Sequence, residues 1–207
     1  MNLSLRTKIL TIDSHQPQTD ALKEAARVII AGGLIAFPTD TTYGLGANPF
    51  DDGAVERIFE LKGRQAGKAI LILIDHPQRL GGLVQGISRN AQELMDKFWP
   101  GPLTLIFNAS HSLREHIIAR SGKIGIRLPD SQIARMLAQE AGVPVTATSA
   151  NVSGKPSALN VNDVRTYFGD KLDLILDAGQ SAQAVESTVI DVTCEVPVVV
   201  RQGAIII

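Results

Sequence analysis

At 207 residues, 44% hydrophobic and 20% charged, the chain has the composition of an ordinary globular protein, long enough to bury its own core. A formal charge of −1 excludes the strongly basic balance of a general nucleic-acid binder, so tight RNA binding would need a local patch. The single cysteine, Cys194, excludes an internal disulfide and a multi-cysteine metal site, and suits a reducing cytosol.

The elements read in order as an alternation of helices and strands. The N-terminus MNLSLRTKIL carries no continuous apolar core with a cleavage site, so no signal peptide is expected. TDALKEAARVIIAGG has helical apolar spacing, a Thr/Asp start and a double-glycine stop at Gly32–Gly33. Its end merges into VIIAGGLIAF (28–37), the longest apolar or glycine run, which is too short to span a bilayer. LIAF is a buried strand ended by Pro38. DDGAVERIFELKG is a helix with Val55, Ile58, Phe59 and Lys62 at helical spacing. AILILI (69–74) is a buried strand, and SRNAQELMDKFW a helix capped by Ser88. PGPLTLIF is a turn and strand. KIGIRLP is an alternating strand, DSQIARMLAQEAG a helix closed by Gly142, PVTATSA a strand and VNDVRTYFG a helix. DLILDAG, STVIDV and VPVVVR are three more strands. About eight strands and five helices in mostly alternating order predict an α/β domain, and the strand-rich last third predicts a mixed sheet. A single domain over 1–207 is expected, without repeats or long linkers.

Familiar catalytic signatures are missing. GRQAGKA is one residue short of a Walker loop and has Ala69 in place of the hydroxyl. GLGANP (44–49) lacks the third glycine of a dinucleotide fingerprint, and no GxSxG elbow occurs. His111 and His116 are five apart, unlike the HExxH spacing, and no metal-ligand set is expected.

Several polar stretches carry more than one reading. LKGRQAGK (61–68) places Lys62, Arg64 and Lys68 near a helix end. They are a solvated basic cluster meeting the helix dipole, or a phosphate clamp. TSANVSG (148–154) is a turn, or a strand-end loop whose Ser149, Asn151, Ser153 and Gly154 contact a ligand. PTDTTYGLG (38–46) puts Thr39, Asp40, Thr41, Thr42 and Tyr43 directly after a buried strand, more polar groups than a turn requires. Arg127 inside IGIRLP, and Arg201 in the apolar tail PVVVRQGAIII, each need a salt-bridge partner, solvent or a bound anion. Ser187, after Glu186, caps a turn or donates to a ligand.

Together these stretches resemble the YrdC-like family of threonylcarbamoyl-AMP synthases. PTDTTYGLG, the K-x-R of LKGR with Lys68 beyond it, FWPGPLTLIF, IGIRLP, TSANVSG, VESTVID and VVRQGA occur in the family's order across residues 20–204. The resemblance is to the short form, which lacks the extra C-terminal domain of longer relatives. It implies a twisted mixed parallel/antiparallel sheet flanked by helices, with a concave basic cavity. It implies condensation of L-threonine, bicarbonate and ATP to threonylcarbamoyl-adenylate and pyrophosphate, with Mg²⁺ on the phosphates. A threonylcarbamoyl transferase complex would then pass the group to tRNA, in the cytoplasm.

By the same resemblance, Lys62, Arg64 and Lys68 are ATP phosphate contacts, the first two central to catalysis. Ser149, Asn151 and Arg201 contact the nucleotide. Thr39, Thr41, Tyr43, Arg127 and Ser187 form the threonine side, Arg127 forking its carboxylate. Many long-form members carry Asn at position 68 and a threonine-contacting His at position 73, where this chain has Lys68 and Leu73. The chemistry needs no protein nucleophile, because positioning and charge stabilisation supply the rate. The sequence singles out no general base. The competing readings are an RNA-binding or ribosome-associated paralogue, and carbamoyl transfer to a different acceptor as in hydrogenase-maturation proteins. Weak tRNA binding fits either family reading.

Overall fold

The computed structural model describes residues 6–63, 70–113, 117–118, 122–181 and 184–206. Its strands form two mixed sheets rather than one. The first runs β1 (Lys8–Thr11), β9 (Leu174–Asp177), β2 (Ile35–Pro38), β3 (Tyr43–Gly46), β8 (Thr148–Ser149). The second runs β11 (Val198–Arg201), β10 (Thr188–Asp191), β5 (Leu103–Asn108), β6 (Lys123–Arg127), β4 (Leu71–Leu73), β7 (Val145–Thr146).

The helices are α1 (Thr19–Ile30), α2 (Asp52–Lys62), α3 (Arg89–Phe98), α4 (Gln132–Ala141) and α5 (Val161–Phe168), with a 3-10 turn at Pro77–Gly82. Four begin on a side chain that accepts a backbone N–H two or three residues into the helix. Asp51 accepts from Ala54, Ser88 from Ala91, Ser131 from Ala134 and Asn160 from Asp163. The first helix starts without such a cap, at Gln18; Thr19 and Asp20 lie inside it, Asp20 facing the positive end of the dipole.

Both faces of the central strands are buried, as the continuous apolar runs require. Ile35 and Phe37 of β2 pack with Leu22 and Ile29 of α1 and Leu137 of α4. Ala36, pointing the other way, joins the larger core with Leu45, Ile58, Ile72, Leu105 and Ile126. The strand β3 hides in the sequence behind two glycines. A Cβ at Gly46 would come within 2.8 Å of the Phe37 ring, so glycine is what lets that ring lie on the strand.

PVTATSA, expected as one strand, divides at Ala147 between the two sheets. Val145 and Thr146 pair with β4, whereas Thr148 and Ser149 pair with β3. Thr146, with no exposed surface, causes the crossing. Its N–H bonds Ala47 O at 3.0 Å, and its hydroxyl accepts from Ala47 N–H and donates to Leu45 O. The chain is thereby drawn from one sheet onto the other, and the space between them opens beside it. At the far edge, β11 is exposed along its whole length, so the apolar tail is not a buried end.

Candidate functional site

A cavity of about 720 Å³ lies between the β2–β3 hairpin and β8 on one side and a face of the second sheet on the other. Among the described residues five cations line it, Lys62, Lys123, Arg127, Lys155 and Arg201, against the carboxylates Glu186 and Asp191. Every expected site residue among those described reaches it: Thr39, Thr41, Tyr43, Lys62, Arg127, Ser149, Asn151, Ser187 and Arg201. Arg64 and Lys68 lie outside the described residues.

Lys62 ends α2 and is 4% exposed. Its Nζ donates to Ser149 O at 2.5 Å, Asn151 O at 2.9 Å and Asn151 Oδ1 at 3.0 Å. Asn151 Oδ1 also accepts from Ser149 Oγ at 2.7 Å, and Ser153 N–H bonds Lys62 O at 2.9 Å. The ammonium is therefore the post around which the TSANVSG loop is wound. Its charge reaches the cavity, but a phosphate oxygen would have to replace one of these acceptors to touch it.

Arg127 is 3% exposed. Nε donates to Gly101 O at 2.9 Å, one terminal nitrogen to Thr41 Oγ1 at 3.1 Å, and the other to Asp40 Oδ1. Of the five guanidinium N–H groups these bonds use three, which leaves one on each terminal nitrogen to meet a ligand oxygen. Burial pushes the Arg127 pKa down, the charge and hydrogen bond of Asp40 oppose that, and Arg201 adds to the lowering. Thr41 is fixed in turn by Thr39, 3.0 Å between hydroxyls.

Tyr43 turns its hydroxyl away from this network. It donates to Gly179 O at 2.9 Å and accepts from Ala178 N–H at 3.2 Å. Desolvation drives its pKa up to about 12, so it stays protonated and pins the hairpin to the loop after β9.

Arg201 has both partners its place in the tail called for. It pairs with Glu186, and donates to Ser187 O at 2.8 Å and Ser187 Oγ at 3.1 Å. Ser187 Oγ lies 2.9 Å from Thr104 Oγ1. The contact is possible because the chain folds back after β11. A Cβ on Gly203 would stand 2.3 Å from Glu186 O, so the glycine of VVRQGA is what admits the tail there.

Sequence reasoning missed Lys123 and Asp191, joined at 2.7 Å along one wall. The alternation of KIGIR was the available signal, because it sends Lys123, Gly125 and Arg127 to one face of β6. The hydrogen bond to Asp191 raises the Lys123 pKa. Burial pushes Asp191 up, but bonds from Lys123 and Thr193 outweigh it and hold its carboxyl below the usual value. The Asp191 contribution to stability is thus full above about pH 4 and lost as pH falls through the lower folded value. That of Lys123 is full below about pH 10 and lost on going higher. Lys123→Met is expected to lower unfolding stability at neutral pH by less than about 1 kcal/mol, since Thr193 still donates twice to Asp191 and the ammonium is partly exposed. Urea melts should show that gap closing in strong acid.

The family model that spans the Sua5, YciO and YrdC proteins, described as telomere recombination, matches residues 27–203. The chain belongs to the Sua5/YciO/YrdC family. It is 42% identical over 184 residues to a threonylcarbamoyl-AMP synthase of Pyrococcus abyssi, covering 89% of this chain and 54% of that protein. The structure of P. abyssi Sua5 complexed with L-threonine matches with a TM-score of 0.90 at 40% identity, over 95% of this chain and 58% of that one. Escherichia coli YciO matches with a TM-score of 0.88 at 28% identity, over 95% and 96% of the two chains. The chain thus spans about half the length of the Pyrococcus protein and nearly all of YciO. The two mixed sheets flanked by helices found here thus follow the fold of these solved relatives. Among the described residues, no helix is long and apolar enough to cross a membrane.

Proposed function

We propose that the chain condenses L-threonine, bicarbonate and ATP to threonylcarbamoyl-adenylate and pyrophosphate, a nucleotidyl transfer. The observation that carries the reading is the meeting of two recognition sets in one cavity. The Lys62–Ser149–Asn151 knot and Arg201 offer cationic, hydroxyl and amide groups to a nucleotide. Thr41, Arg127 and Ser187 offer a fork and hydroxyls to a small amino acid. The names of the relatives support it.

In this reading Arg127 holds the threonine carboxylate through its two remaining N–H groups. The carbamate then faces the α-phosphate, whose developing charge is met by Arg201 and the field of Lys62. By the family resemblance, Arg64 and Lys68, outside the described residues, would add phosphate contacts. Tyr43 and Thr39 keep Thr41 in place, so close positioning replaces a protein nucleophile. Among the described residues no three acidic, histidine or cysteine side chains are grouped to hold a metal. By the family resemblance Mg²⁺ would enter on the triphosphate oxygens, where it would neutralise phosphate charge. The product, a reactive mixed anhydride, would be consumed in the cytoplasm by a transferase complex acting on tRNA.

Pyrophosphate release from ATP by the purified chain, with threonine and bicarbonate each added or withheld, tests this. Release that requires both is expected. No release under any combination by the folded protein with magnesium would overturn the reading and leave a binding module, to be tried with RNA.

A further inference from the structure

We propose that Glu186 is the proton acceptor for the threonine amine, an inference that rests on the synthase reading. A free amino acid carries its amine as an ammonium at neutral pH, and an ammonium has no lone pair with which to attack carbon. A base must take a proton before the carbamate can form.

Among the described residues two carboxylates line the cavity, and they differ in how much room they have for that proton. Asp191 is the more occupied: Oδ2 accepts from Lys123, and Oδ1 from both the N–H and the hydroxyl of Thr193, which leaves one lone pair, on Oδ2 beside the Lys123 ammonium. Its side chain is 16% exposed. Glu186 is 36% exposed and carries one donor on each oxygen, Ser157 Oγ at 2.7 Å on Oε1 and Arg201 on Oε2. A lone pair is left on each.

Its partners also place it. Ser157 follows the TSANVSG loop, the nucleotide side. Arg201 reaches past Glu186 to the hydroxyl of Ser187, the amino-acid side. The amine, the carbon and the α-phosphate must meet where those sides join. Among the described residues, the charged groups that share the cavity with Glu186 are Arg201 on β11, Arg127 and Lys123 on β6, Asp191 on β10, Lys62 ending α2 and Lys155 beyond the loop.

The step balances without a further reagent. One ammonium proton passes to Glu186, leaving the amine lone pair and a neutral carboxyl. That carboxyl gives the proton to the hydroxyl of bicarbonate, the C–O bond breaks, and water and CO₂ are formed. The lone pair closes the N–C bond on CO₂. A second N–H proton goes to the regenerated carboxylate and on to solvent, leaving the carbamate anion. A carbamate oxygen then attacks the α-phosphorus, and pyrophosphate leaves with the electron pair of the broken P–O bond.

Glu186→Gln removes the base and keeps one oxygen to accept from Arg201, with its amide N–H turned to the Ser157 hydroxyl, which can accept. With threonine and bicarbonate saturating, pyrophosphate release at neutral pH should fall about 10²–10⁴-fold through kcat. ATP binding, measured directly, should persist. The ratio of wild-type to variant rate should shrink in alkali, where solvent itself supplies free amine. Glu186→Asp keeps a base on a shorter arm and should outrun the Gln variant. Loss of ATP binding, a rate ratio constant with pH, wild-type turnover, or equal Asp and Gln rates would each overturn the proposal. None of these would touch the synthase reading, which fails only if the wild-type chain releases nothing.

Discussion

Arg127→Ala is expected to destabilise the chain by about 3–5 kcal/mol and to abolish threonine-dependent turnover while ATP still binds. Burial and pairing drive the first effect. The guanidinium is 3% exposed and serves Gly101 O, Thr41 Oγ1 and Asp40 Oδ1 together. Asp40 Oδ2 is already buried without a hydrogen-bond partner among the described residues. Removing the arginine would leave a whole carboxylate in a poorly solvated place, which costs more than the lost contacts. Arg127→Lys keeps the charge but cannot span three acceptors in different directions, so most of the loss should remain. Asp40→Ala added to Arg127→Ala should recover about 1 kcal/mol or more, because the stranded charge is gone. Urea melts of the single and double variants measure this, and calorimetric titration with threonine and with ATP separates the functional half. If the single variant melted like wild type, Arg127 would not be the keystone of this corner. If it also lost ATP, the division of the cavity into two sides would fail.

The helices and most strands were legible because local rules and global packing agree in them. Ser88 and Gly142 bound their helices where capping rules put them, and the central strands read as apolar runs because both faces are covered. What escaped shares a cause: a long-range contact overrides the local pattern. The glycines of YGLG suggest a loop until Phe37 lies on Gly46. PVTATSA gives no local sign of changing sheets, because the deciding bonds come from Leu45 and Ala47, about a hundred residues earlier. β1 is a four-residue edge strand that owes its form to β9, far along the chain. The site divides in the same way. Residue types and family order placed nine expected side chains in one cavity, but could not show what each already holds. Tyr43 spends its hydroxyl elsewhere, and Lys123 with Asp191 joined through a pairing that only the sheet register creates.

Lys62 is where that difference alters an expected result. A lysine that only touched phosphate could be removed at no cost to the fold, and ATP affinity alone would drop. Here the ammonium gathers two carbonyl oxygens and an amide oxygen of the loop that presents Ser149 and Asn151. Lys62→Ala would take a charged donor from all three; Ser149 O keeps the Asn151 N–H and Asn151 Oδ1 keeps the Ser149 hydroxyl, while Asn151 O is left without a donor among the described residues, and hydrogen bonds to charged groups are worth about 1.5–3 kcal/mol each. The expected outcome is a loss of about 3 kcal/mol or more of stability together with roughly a hundredfold or greater loss of ATP affinity. Amide exchange over residues 149–155 should also quicken, with or without nucleotide. Lys62→Arg is the sharper test. A guanidinium keeps the charge for a phosphate but is too broad and planar for a three-oxygen cup sized to an ammonium. If the arginine variant restored ATP binding and left the loop protected, the phosphate contact alone would account for this position. If that variant kept its charge yet failed on both counts, the knot itself would be the binding determinant, and Ser149 and Asn151 would bind nucleotide only because Lys62 shapes the loop.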